Sequence, residues 1–325
     1  MKKILFFIFF FLFIRESFAY EYSRKDYSTS IGTFQIRLLK IDLLGDDRLV
    51  IGISDSGESL SSLVKRYNGK AGIEGAFFCP KDYTNCGGKN FTSADRYSYG
   101  ENFSRWEDTG DRYVFAIDKD SLAFLYHSSK LNSEMKDEIY MGIGNHPLIL
   151  KDGQSMLEYY YDRGLIDKKM PINQPKTFIC STSKPGEILM GMVKYAHMDD
   201  LPTVLSEIGC VNALNLDAGL TLAFYNNGEY YVGPGRDMMD AVIITDKIGD
   251  EKNKKIVNLA QNYKKTLISQ INNLTKDKAK VDIILQNVID KIDILLDKSK
   301  GNRKTLLILL KNDLMKELGE TIAYK

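Results

Sequence analysis

The chain has 325 residues, with 44% apolar and 27% charged residues, fractions that fit a globular protein. Its 44 Lys and Arg against 43 Asp and Glu give a net charge of +1, which argues against a general nucleic-acid binder. The even total conceals a split: residues 250 to 325 carry 16 Lys and Arg against 10 Asp and Glu, leaving 28 against 33 for the rest.

Residues 1 to 19 read as a cleavable export signal. Met1-Lys2-Lys3 is positive, Ile4 to Ile14 is an eleven-residue apolar run, and Ser17-Phe18-Ala19 puts small residues at a cleavage site. Such a run rises only about 16 Å as a helix, too short to span a hydrocarbon core of roughly 30 Å, so no membrane anchor is expected after cleavage. The destination is secreted, periplasmic or envelope-associated. Cys79, Cys86, Cys180 and Cys210 all follow this segment, where disulfides persist. Four cysteines allow three pairings. Pro80, Asn85 and Gly87-Gly88 suit a tight loop closed by Cys79 and Cys86, which leaves Cys180 with Cys210, or both as buried thiols.

From residue 20 to 248 the pattern is of short strands with few helices. Thr33 to Asp42 alternates Phe34, Ile36 and Leu38, Arg48 to Ser54 is rich in branched residues, and Tyr113 to His127 holds two runs around a polar turn. Thr177 to Val193 turns at Lys184-Pro185-Gly186, and Leu222 to Val232 turns at Asn226-Asn227-Gly228. Helices are expected at Ser59 to Tyr67 and at Asp200 to Ile208, where Pro202 sits in the first turn and Gly209 ends the run. The expectation is an α+β fold built on a strand-rich mixed sheet. From 249 to 325 the apolar residues take helical spacing: Ile256, Leu259, Tyr263, Leu267, Ile271 and Leu274, then Val281 to Leu295, then Leu306 to Leu318. That predicts an all-helical appendage, a hairpin or three helices. Its lysines read first as solvated helix faces and second as a contact for an anionic or protein partner.

There is no Walker loop, HExxH or CxxC, and no zinc-type ligand spacing, so neither metal nor cofactor is expected. The informative stretch is Gly209 to Asp217, where a short strand delivers Asn215 and Asp217 to a turn of small residues, Ala218-Gly219. Such a strand end presents a carboxylate at a cleft, or simply stabilises a tight turn.

Five segments together resemble the phosphodiester glycosidase family. Gly72 to Phe78 is similar to its GxNGGFF strand, Asn145 to Gly153 to GGPxLVxxG, and Lys176 to Cys180 stands in the place of RTAIG. Ala213 to Thr221 corresponds to ALNLDGGGS, and Arg236 to Ala241 to a closing Arg-containing segment. The likeness runs over about residues 71 to 246. Glu74 stands for the family's Asn, Ala76, Ala218 and Leu220 for Gly, Lys176 for Arg and Thr221 for Ser.

The resemblance implies a hydrolase acting on a phosphate-linked glycan of the N-acetylglucosamine-1-phosphodiester type. Phosphate is a good leaving group, so such a reaction needs cations at the phosphate and a carboxylate near the oxocarbenium-like centre. On that logic Asp217 is the catalytic carboxylate and Glu74 a second one. Lys176 and Arg236 hold phosphate, while Asn215, Thr221, Gly219 and His146 contact substrate. A relative that has kept the fold but lost catalysis, binding an envelope glycan or protein, is the alternative.

Overall fold

Alternating apolar residues and glycine-bearing turns give strands that lie side by side in antiparallel hairpins. The computed structural model describes residues 20–92, 94–103, 112–130 and 133–318. The export segment expected at residues 1 to 19 lies outside the described residues. The fold is α+β as expected, with an all-helical C-terminal region; among the described residues the strands form three sheets, and every pairing between named strands is antiparallel. Consecutive strands joined by tight turns favour that arrangement, because parallel neighbours need long crossovers.

The first sheet has seven strands in the order Tyr20–Thr29, Gly32–Asp42, Glu187–Ala196, Gln174–Thr182, Cys210–Asn215, Leu148–Lys151, Gln154–Ser155. The second runs Glu229–Val232, Phe224–Asn226, Gly69–Glu74, Met238–Asp246, Asp47–Glu58. The third runs Glu101–Asn102, Arg96–Ser98, Ile139–Asn145, Tyr113–Asp118, Ala123–His127. A shared core joins them, drawing Leu39 and Ile41 from the first sheet, Ile51 and Ile73 from the second and Phe115 and Ile143 from the third. The far face of the first sheet, with Ile36 and Leu38, is covered by Leu201, Val204 and Leu205 of helix Leu201–Glu207. Both faces of strand Gly32–Asp42 are thus apolar, a sheet buried on two sides. Cys180 and Cys210 bridge neighbouring strands of this sheet, with Cα atoms 5.7 Å apart, and Cys79 bridges Cys86 at 5.5 Å.

Helix Leu60–Arg66 is capped by Ser59, whose hydroxyl accepts from the Ser62 amide at 3.3 Å. Three helices close the chain, Lys247–Leu274, Lys278–Leu296 and Gly301–Glu317, the first two capped by Asp246 and Asp277. They are docked on the strand-rich body. Asn253 donates to the Tyr67 carbonyl at 2.6 Å and accepts from Asn68 at 2.7 Å. Lys304 pairs with Glu58, and Lys311 with Asp55 at 3.7 Å. These two lysines of the last helix are turned toward the body's acids, which offsets part of the charge split. Among the described residues no helix is long and apolar enough to cross a membrane.

Candidate active site

Strand Cys210–Asn215 sits between Gln174–Thr182 and Leu148–Lys151, with Asn215 opposite Phe178. Beyond Asn215 the chain leaves the first sheet. Leu216 still donates to the Thr177 carbonyl at 3.0 Å, but the Asp217 amide donates to Gly75 at 2.8 Å, at the end of strand Gly69–Glu74 in the second sheet. The third sheet arrives at the same place: Asn145 donates to the Asn215 carbonyl at 2.9 Å and accepts from the Phe77 amide at 3.4 Å. Three strand ends from three sheets therefore fix the position of one carboxylate.

Gly75 permits this crossing. A Cβ there would lie 2.1 Å from Asp240 Oδ1, the oxygen that accepts from the Ala76 amide at 2.6 Å. Asp240 is buried, and its other oxygen faces Arg96 of the third sheet at 3.6 Å. Burial raises the Asp240 carboxyl, and Arg96 opposes that shift.

Asp217 lines a cavity of about 620 Å³ together with Asn215, Ala218, Gly219, Leu220, Thr221, His146, Lys176 and Arg236. Sequence-predicted site residues are thus brought together with one exception. Asp217 Oδ1 accepts from the Ala218 amide at 2.8 Å, and its carbonyl accepts from Thr177. Burial pushes its carboxyl up to about 7, a nearby Asp240 adds to the rise, and Thr221, the Ala218 amide and Arg236 oppose it. Thr221 donates to the Ala218 carbonyl at 2.7 Å, holding the turn closed. Gly219 has φ +70°, the left-handed conformation that favours glycine. Ala218, at φ −149° and ψ −159°, is extended, so an alanine fits without strain.

The exception is Glu74, which does not line the cavity. It is wholly buried behind the floor, where Oε2 accepts from the Ala223 amide at 2.9 Å. Burial pushes its carboxyl up to about 8; the Ala223 amide opposes that, and the charge of Asp217 adds to it. At neutral pH Glu74 is mostly an uncharged acid, which suits a place where the family motif has a neutral Asn.

Two cations stand on the walls. Lys176 is only 2% exposed and donates to the carbonyls of Met170 and Ile172 at 2.7 and 3.1 Å; burial lowers it to about 8. Arg236 lies over the Tyr83 ring at 5.3 Å and pairs with Asp82 at 3.1 Å, both on the loop closed by Cys79 and Cys86. His146 packs edge-on against Phe77 at 5.2 Å, and burial lowers it to about 4, so its ring is neutral. Among the described residues no group of three or more His, Cys, Asp or Glu is placed to hold a metal ion.

Sequence reasoning missed Asp240, Asn145, Asp82 and Tyr83. Asp240 lies within the stretch Arg236 to Ala241, but nothing local marks which residue of a strand faces a neighbouring strand end. Asn145 stands at the strand end that places it against Asn215, a contact across 70 residues.

A family model described as phosphodiester glycosidase matches residues 67–245, more than half of the chain and all of the site. The chain belongs to the phosphodiester glycosidase family. This is a family of hydrolases, and it supports a glycosidase-type function. The structure is similar to the catalytic domain of zebrafish N-acetylglucosamine-1-phosphodiester alpha-N-acetylglucosaminidase, auto-inhibited by its pro-peptide, at 14% identity and a TM-score of 0.56. That likeness covers 70% of this chain and 83% of the zebrafish one. A hypothetical protein from Synechocystis is similar at 12% identity and a TM-score of 0.52, over 70% of this chain and 62% of its own. At such identities the likeness speaks for the fold. No curated protein sequence matches the chain.

Proposed function

We propose that this member of the phosphodiester glycosidase family is an exported enzyme that hydrolyses the bond between a sugar, of the N-acetylglucosamine type, and a phosphodiester. The observation that carries the reading is the position of Asp217, a half-buried carboxylate held by strand ends of three sheets at the floor of a cavity walled by two cations. A cavity of about 620 Å³ is of the size that binds small ligands, and a sugar with its phosphate fits that class.

In this reading Lys176 and Arg236 neutralise the phosphate, so the electron pair of the breaking anomeric bond leaves on a phosphate oxygen without a general acid. Asp217, ionised, faces the cationic sugar centre and accepts the proton of the incoming water; a pKa of about 7 suits a base at neutral pH. Asn215 and the neutral His146 face the sugar as polar contacts. Glu74 is a positioning residue, a neutral support for the turn through Ala223. Export is supported by the first 19 residues and by two disulfides. An exported enzyme meets phosphate-linked glycans of an envelope or matrix.

The alternative of a glycan-binding relative without catalysis draws on Lys176, whose ammonium is already engaged by two carbonyls. One assay separates them. Incubation with methyl N-acetylglucosaminyl phosphate, or with UDP-N-acetylglucosamine as a surrogate, releases free sugar if the enzyme reading holds. Saturable calorimetric binding of these esters with no free sugar after prolonged incubation favours the binding module.

A further inference from the structure

The cavity has a second character that the hydrolysis of a sugar phosphate does not use. Around Arg236 its rim is apolar and exposed. Leu220 is 66% exposed and Tyr83 is 47% exposed, yet both line the same cavity as Arg236. The Arg236 amide donates to the Leu220 carbonyl at 2.8 Å, which sets the two backbones side by side, and the Arg236 guanidinium lies 5.3 Å from the centre of the Tyr83 ring. Pro80 and Phe78 continue the same lining.

Leu220 contributes little to the core. It follows Gly219 in a turn of small residues, at a place where the resembled motif has glycine, and it joins Tyr83, Phe78 and Pro80 in one apolar lining instead of standing as a lone exposed side chain. Its aliphatic side chain offers no hydrogen bond to a sugar or a nucleotide. The partner of Arg236, Asp82, is exposed, and an exposed ion pair of this kind is readily exchanged for a phosphate.

Resting on the hydrolase reading above, we infer that the alcohol on the far side of the phosphate is an apolar chain, which leaves the cavity between Leu220 and Tyr83. The substrate class is then a lipid-type sugar 1-phosphodiester. Hydrolysis breaks the bond between the anomeric carbon and the phosphate oxygen, the oxygen of water ends on the anomeric carbon, and the products are a free sugar and an alkyl phosphate monoester. A cation at the phosphate with apolar surface just beyond it is the complement of that amphiphile.

The test separates this inference from the reading beneath it. The chain, purified after export from its expression host, is titrated calorimetrically with octyl phosphate and with methyl phosphate, below the concentration at which the octyl ester forms micelles. Octyl phosphate is expected to bind at least tenfold more tightly, and Leu220→Gly and Leu220→Asn are each expected to reduce that ratio at least threefold. The same preference should appear in kcat/KM for octyl over methyl N-acetylglucosaminyl phosphate, and octyl should also surpass an ester to a second sugar. Equal binding of the two phosphates, a ratio that survives both substitutions, or a preference for the second sugar overturns the inference. Failure to hydrolyse the methyl and octyl esters overturns the hydrolase reading instead, while the binding ratio still decides whether the rim takes an alkyl chain.

Discussion

Two regions of this molecule bury charged groups and treat them in opposite ways. Under the last helix, Arg66 donates to Glu58 at 2.9 Å and to Thr305 at 3.1 Å, while Lys304 pairs with the same Glu58. At the cavity floor Glu74 accepts from a backbone amide and, among the described residues, pairs with no cation; Lys176 is held by carbonyls, and Asp217 has only a partial offset from Arg236. A buried charge with partners of opposite sign joins two elements. One without them is displaced toward neutrality and stands ready to exchange a proton or accept a charged ligand. The seam under the last helix is therefore architectural, and the floor is where chemistry belongs.

The widest separation between the regions is expected from removing one charge in each. Asp217→Asn should lower kcat/KM for sugar release roughly a thousandfold with little change in melting temperature. Glu58→Ala should do the reverse. Leaving Arg66 and Lys304 without their carboxylate costs about 3 kcal/mol of stability, read from urea denaturation, with turnover of the folded protein within a factor of about two. An Asp217→Asn protein that keeps its turnover would remove that residue from the mechanism, and an unchanged denaturation midpoint for Glu58→Ala would show the seam to be inert.

The same contrast explains what the sequence disclosed. Helices in the tail were legible because helical periodicity is local, and Ile256, Ile271, Leu285 and Ile292 are indeed buried. The buried face was only half legible. Leu259, Tyr263 and Leu274 share the apolar pattern but are exposed, whereas Asp250 and Asn253 are buried because Tyr140 donates to Asp250, Asn68 donates to Asn253 and the Tyr67 carbonyl accepts from Asn253. Docking, not propensity, chose that face. At the floor, the strand end bearing Asn215 and Asp217 was legible from motif and turn residues. The depth of Glu74 was not, since it depends on the register that places Ala241 opposite it and on a strand, Phe224–Asn226, that closes over it from another part of the chain.

A pH profile sharpens the description of the floor. With Asp217 acting ionised and Lys176 acting protonated, kcat/KM should rise toward about pH 7 and fall beyond about pH 8, following the free enzyme. Lys176→Arg keeps the charge at all working pH values. Its alkaline limb should vanish, giving a several-fold advantage over the parent at pH 9. A limb that persists in this variant would have to belong to another group.

Glu74→Gln should have the smallest effect on turnover, within about threefold, because the side chain is already uncharged at neutral pH; its signature lies in stability. In the unfolded chain a glutamate ionises near its ordinary value of 4.5, whereas burial moves Glu74 up to about 8. Between those values the folded protein holds a proton that the unfolded chain has lost, so unfolding releases it, and stability falls as pH rises. Below about 4.5 both states are protonated and above about 8 both are ionised, so the contribution is level outside that window. Glutamine never titrates. The loss of melting temperature between pH 5 and pH 8 should therefore be smaller in the variant, though not absent, because Asp217 titrates in the same sense up to about 7. Parallel curves for the two proteins would mean that Glu74 is ionised in the fold, and the floor would then hold two adjacent negative charges instead of one carboxylate and a neutral acid behind it.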